Sequence, residues 1–252
     1  MFLDHILLLS GRIRLQSKNA NSMTIETRKE QLDQRIINAV NRIGRQPSDI
    51  KLLAVSKTRP ATTIRSLAAL GQQAFGENYL QEAVEKIKQL ADLGLEWHFI
   101  GQIQRNKTAA VAENFDWAQS IDRLVIAERL SAQRPESLAD LNVCIQVRMS
   151  EEAGKGGVSK KELFTLAETI ATLPRINLRG LMTIPENTSD IEKQRMAFRE
   201  MHGLYQKLKA LHHTVDTLSM GMTGDFELAI EEGSTMIRVG TALFGPRNYV
   251  GP

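Results

Sequence analysis

From residue 25 onward, short apolar runs alternate with amphipathic stretches. The runs over 51–56, 97–101, 142–147, 178–183, 217–220 and 236–239 are short and largely apolar, as strands covered on both faces are. Weaker runs over 74–77 and 117–120 bring the expected strands to eight. Between them, apolar residues recur at helical spacing. Leu32, Ile36, Val40 and Ile43 mark a helix over 26–44, and Leu80, Ala83, Val84, Ile87 and Leu90 mark another. Further helices are expected around Ile64 and Leu67, over 106–114, around Val125 and Leu130, over 159–172, over 190–211, and around Phe226 and Ile230. Asp122 and Ser159 are the expected N-caps of two of them. The helix over 190–211 is expected to bury Ile191, Met201, Leu204, Leu208 and Leu211.

Eight strand–helix alternations with no Pro/Gly/Ser-rich linker predict one α/β domain, a (β/α)8 TIM barrel over residues 25–252. Residues 1–24 read as a flexible N-terminal extension. The apolar run 6–9 is too short for a secretory signal, and Met23 is an alternative start.

In this fold, active sites sit at the carboxyl ends of the strands. The polar residues expected there are Lys57, Asn78, Gln102, Ser120, Ser150, Thr183, Ser219 and Thr241. A lysine partly desolvated at a barrel mouth is a candidate nucleophile toward carbonyls, although a solvated lysine past a strand end has the same sequence signature. The stretches 218–225 and 235–245 place small residues after the last two strands. Loops there often receive a phosphate, with glycines admitting backbone N–H groups to the anion; ordinary turn chemistry is the alternative.

Composition narrows the choices. The 252 residues are 42% apolar and 24% charged, which is globular and excludes a disordered or collagen-like chain. Arg12, Arg14 and Lys18 against Asp4 account for most of the net charge of +3. The few aromatics are not interleaved with basic runs, which speaks against nucleic acid. No apolar stretch nears the ~20 residues that span a bilayer. A single cysteine, Cys144, fits a reducing, cytoplasmic setting and reads as a buried small apolar residue. The five histidines show no metal-ligand spacing, His98 reads as a core histidine, and His212 and His213 as a solvated helix end. There is no nucleophile elbow, Walker loop or dinucleotide fingerprint.

Five ordered motifs carry a family resemblance. They are Ala54-Val-Ser-Lys-Thr-Arg-Pro60, Phe75-Gly-Glu-Asn78, Trp97-His-Phe-Ile-Gly101 with Gln104-Arg-Asn-Lys107, Leu218-Ser-Met-Gly-Met222, and Gly233 to Gly245. Together they resemble the YggS/PROSC family of pyridoxal 5′-phosphate (PLP) homeostasis proteins over about residues 26–247. The resemblance implies the type III PLP fold, the barrel of the alanine racemase N-terminal domain without its C-terminal β-domain. It implies PLP as cofactor, an internal aldimine on Lys57, phosphate contacts from Ser219, Gly240 and Thr241, Arg238 facing the pyridine nitrogen, and Asn78 beside the cofactor. It implies a monomeric carrier or regulator with little or no turnover that hands PLP to apo PLP-dependent enzymes. The alternatives are a PLP-dependent amino-acid racemase, which would need a second base opposite the lysine, and an interaction protein that merely retains the lysine. Two departures stand out. Arg59 replaces a common lysine, and Ser150-Glu-Glu-Ala-Gly-Lys-Gly-Gly157 departs from the usual Ser-Lys-Ser-Gly pattern, keeping the charge of Lys155 but losing the neighbouring hydroxyls, which bears on any exchange role of that loop.

Overall fold

The computed structural model describes residues 23–149, 156–186 and 188–246. Its eight strands are β1 (Lys51–Val55), β2 (Ala74–Glu77), β3 (Glu96–Phe99), β4 (Trp117–Ile121), β5 (Leu141–Gln146), β6 (Ile176–Met182), β7 (Thr217–Ser219) and β8 (Met236–Val239). All neighbouring pairs are parallel, and β1 pairs with β8, so the sheet closes in sequence order. The helices are α1 (Ile25–Arg42), α2 (Ala61–Ala69), α3 (Leu80–Gln89), α4 (Thr108–Asn114), α5 (Leu124–Gln133), α6 (Leu163–Ile170), α7 (Ile191–Leu211), α8 (Phe226–Glu231) and α9 (Thr241–Phe244).

The (β/α)8 barrel expected from the alternation is therefore the fold, including the two weakly patterned strands. The helices bury apolar side chains in the core that surrounds the sheet. Thr24 caps α1, its Oγ accepting from the Thr27 amide, and Leu32, Ile36, Ala39 and Val40 are buried beneath. The cap residue thus lies inside the segment expected to be an extension; residues 1–22 of that segment lie outside the described residues.

Three local expectations need correction. Asp122 does not cap α5: β4 runs on to Ile121, Arg123 takes the N-cap position, and Asp122 instead accepts from Arg123 Nε at 3.0 Å. Helix α6 begins at Leu163; Ser159 and Glu162 bond each other side chain to side chain at 2.5 Å in a turn before it. On α7, Ile191 and Leu211 are exposed, and the buried stripe is Phe198, Met201, Tyr205 and Leu208. A 21-residue helix is about 31 Å long. The strands beneath span at most about 23 Å, so both helix ends overhang the sheet.

Strand alternation sorts the side chains. Leu53, Ala74 and Met236 pack together inside the barrel, as do Trp117, Cys144 and Met182. The opposite faces of the strands meet the helices in the large outer core.

Candidate functional site

Because Leu53 points into the barrel, period-two alternation sends Val55 and Lys57 along the same inner line toward the carboxyl mouth. A cavity of about 270 Å³ opens there. Lys57, Asn78, Arg238, Gly240 and Thr241 border it, together with Val55, Ile100, Ile184 and the loop Met222–Gly224. The structure brings together at this cavity five of the six site residues that the family resemblance implies.

The backbone on both sides of Lys57 is pinned. Ser56 is buried and donates through Oγ to Glu77 Oε1 at 2.6 Å. Lys86, reaching in from α3, donates to the Ser56 carbonyl at 2.8 Å and to Glu77 at 2.8 Å. Thr58 adopts φ +63°, and its amide donates to Glu82 Oε1 at 2.6 Å. Burial pushes the Glu77 carboxyl above its ordinary pKa, while Lys86 and Ser56 pull the other way.

Two turns form the opposite wall. Gly221 has φ +97°, which lets its carbonyl accept from the Arg238 amide at 2.9 Å. Asp225 then accepts from the Met222 amide at 2.6 Å and holds the loop after β7. After β8, Gly240 leads into α9, where the Leu243 amide turns back onto the Gly240 carbonyl at 3.0 Å and the Thr241 and Ala242 amides before it have no intrahelical carbonyl to meet. Such amides suit an anion.

Arg238 is the cation of the site. It is buried, with only 4% of its surface exposed. Its Nη1 donates to Ser219 Oγ at 2.7 Å and its Nη2 to the Thr183 carbonyl at 2.8 Å. Burial, against the pull of Asp225, moves its pKa down to about 10, so it stays charged at neutral pH. Among the described residues no carboxylate forms an ion pair with it. A guanidinium enclosed with neutral partners is unusual. Asn78 adds a second polar demand: its Oδ1 is buried beside the same cavity without a partner among the described residues. These groups fit a ligand carrying an acceptor for Arg238, a polar group for Asn78, an anion for the two turns and an electrophile for Lys57.

Ser219 stands one layer lower. It is fully buried and does not border the cavity. Its only proton goes to Gln119 Oε1 at 2.7 Å, so in this arrangement the hydroxyl has no donor left for a phosphate. Of the other strand-end residues, Ser120 donates to the Gly101 carbonyl, Thr183 Oγ donates to the Val147 carbonyl at 2.9 Å, and Gln102 is exposed. Ser150 and Lys155 lie outside the described residues. His98 is a core histidine, as expected, stacked on Trp117.

Sequence reasoning missed Gln119 and the Thr183 carbonyl. Gln119 carried a readable signal, an amide placed inside a strand on the same face as Trp117, where burial demands partners. A backbone carbonyl carries none. Among the described residues there is no group of side chains able to hold a metal, and no helix is long and apolar enough to cross a membrane.

Comparison with known proteins gives a consistent result. Residues 29–248 match the family described as alanine racemase, N-terminal domain. The chain is 50% identical over 230 residues to a Vibrio cholerae protein named pyridoxal phosphate homeostasis protein, covering 90% of this chain and 98% of that one. It is 53% identical over 218 residues to the protein of that name from Pseudomonas aeruginosa, covering 86% and 94%. Among solved structures, PipY of Synechococcus elongatus with PLP bound superposes with a TM-score of 0.74 at 35% identity, covering 83% of this chain and 100% of that one.

Proposed function

This chain belongs to the alanine racemase N-terminal domain family, among the pyridoxal phosphate homeostasis proteins, and from that premise we propose that it binds PLP and serves intracellular PLP homeostasis as a carrier or regulator. The observation that carries this reading is the one cavity shared by Lys57, Arg238, Asn78, Gly240 and Thr241. PLP supplies an aldehyde that condenses with a neutral amine, losing water, and a ring that draws electrons from what is attached to it. Lys57 is the Schiff-base lysine in this reading. Its flanking residues are held by Glu77, Glu82 and Lys86, which fixes the backbone that carries it at the cavity. Gly240, Thr241 and the loop Met222–Gly224 would receive the phosphate. Ser219 serves them from below, as the strut beneath Arg238.

Arg238 would meet the pyridine nitrogen. A guanidinium does not give up its proton at neutral pH, so the nitrogen stays an acceptor and the ring a weak electron sink. A weak sink suits storage and delivery better than turnover. Racemisation needs a second proton acceptor opposite the lysine. The described lining of the cavity contains no tyrosine, histidine, cysteine or carboxylate, which favours a carrier over the racemase. The reading includes a cytoplasmic monomer that passes PLP to apo-enzymes.

Borohydride reduction of the PLP-loaded protein, followed by peptide mapping, tests it. The pyridoxyl group is expected on Lys57, and Lys57→Ala is expected to lose the absorbance near ~420 nm. A label on another lysine, or racemase turnover well above that of free PLP, would overturn the reading.

A further inference from the structure

The interior of a (β/α)8 barrel is ordinarily filled by branched apolar side chains. Here one line through it is polar. Glu96 and His98 stand two apart on β3 and share its inner face. Gln119 follows on β4, Ser219 on β7 and Arg238 on β8. His98, Gln119 and Ser219 are each fully enclosed. Their hydrogen bonds form one unbroken chain. Arg238 Nη1 donates to Ser219 Oγ at 2.7 Å, and Ser219 Oγ donates to Gln119 Oε1 at 2.7 Å. Gln119 Nε2 meets His98 Nδ1 at 2.8 Å. His98 Nε2 meets Glu96 Oε1, which also accepts from Lys51 at 2.5 Å.

The donor and acceptor inventory permits this chain one direction only. Arginine can only donate, so Ser219 accepts from it and passes its single proton on. The Gln119 carbonyl takes that proton, which turns the amide nitrogen toward His98. His98 Nδ1 must then accept, its proton sits on Nε2, and the Glu96 carboxylate receives it. With the Gln119 amide reversed, Ser219 would face two donors and its own proton would have no acceptor. The chain begins at the cavity that Arg238 borders and ends at Lys51, the first residue of β1, at the opposite end of the barrel.

We propose that Gln119 is a positioning residue for Arg238: through Ser219 it sets the orientation in which the guanidinium meets the ring nitrogen of PLP, and His98 with Glu96 sets which way round the Gln119 amide stands. This deepens the proposed function and rests on it. Two of the five N–H donors of Arg238 are used by Ser219 and Thr183. Losing Ser219 as an acceptor leaves the guanidinium turning about the Thr183 bond.

The test uses the full-length protein loaded with PLP carrying 15N in the ring, and reads the ring-nitrogen shift by NMR. Wild type and Ser219→Thr, which keeps the hydroxyl, are expected to share one shift. Gln119→Met and Ser219→Ala are expected to move it in the direction seen for Arg238→Met, and to release PLP about fivefold faster. A folded, Lys57-labelled Gln119→Met with the wild-type shift overturns the inference. If Gln119→Met does not fold, Ser219→Ala decides alone, since it removes one oxygen and leaves the Gln119–His98 bond in place; an unchanged shift there overturns the inference equally. A wild-type protein that takes no label on Lys57 is a different failure, visible before any variant is compared, and it overturns the proposed function itself.

Discussion

Lys86 on α3 donates to the Glu77 carboxylate at the end of β2 at 2.8 Å, with 7% and 0% of the two side chains exposed. The same ammonium holds the Ser56 carbonyl, one residue before Lys57. Removing one partner of an enclosed ion pair strands the other charge and typically costs about 3–5 kcal/mol. Lys86→Met is therefore expected to lose about that much stability in urea unfolding. Burial already raises the Glu77 pKa. Protonation relieves a stranded carboxylate, so the loss should be larger at pH 8 than at pH 5. Equal losses at both values would show that Glu77 is not the group left behind.

Glu96 supplies a pH dependence of opposite sign. Burial works against its carboxylate, but the bonds from His98 and Lys51 outweigh that and hold its pKa down to about 2, against an ordinary 4.5. A depressed folded pKa contributes stability that is present above the unfolded value and is lost as pH falls through the folded one. Glu96→Gln should be less stable than wild type at neutral pH, and the gap should close between about 4.5 and about 2. Thermal melts across that range measure it; a gap that widens on acidification would contradict the assignment.

Cys144 should be chemically silent in the folded state. It is enclosed between Trp117 and Met182, and burial, with Asp216 adding to it, pushes its thiol up to about 12. The thiolate is the reactive species. Iodoacetamide at pH 8 is expected to leave the native protein unlabelled and to add one group after unfolding. Rapid native labelling would mean that the barrel opens on the timescale of the reaction.

Gly101 permits a close backbone approach at the site. A Cβ there would lie 2.2 Å from the Asn78 carbonyl oxygen, so the two segments would have to part. Gly101→Ala is expected to destabilise the fold by about 1–3 kcal/mol and to weaken PLP retention, because Asn78 borders the cavity. Gly94→Ala provides a control. Its Cβ would meet nothing within 4 Å, and its φ of +58° confines the cost to local backbone strain, so PLP retention should stay unchanged.

Much of the site was legible in the chain because position along a strand is local information. Lys57, Asn78, Gly240 and Thr241 each follow a short apolar run, and the carboxyl mouth is where such residues gather. The roles of Lys57 and Arg238 came from family likeness, since position alone does not distinguish a reactive lysine from a solvated one. Ser219 was legible as a strand-end residue but not as a strut, because its partners belong to other strands. Helix ends misled where a neighbour took the cap, as Arg123 did in place of Asp122.

Taken alone, the amino-acid order determined the eight-fold alternation, the helix stripes and the identity of the residues at the strand ends, since these depend on periodicities of two and 3.6 within single elements. Only the closed barrel decided that Gln119 meets a serine 100 positions away, that the resulting polar line crosses the barrel interior, and that Arg238 is enclosed with no carboxylate paired to it among the described residues. The reason is that register and closure are set by packing among all eight strands at once, and no single segment of sequence contains the partner it will meet.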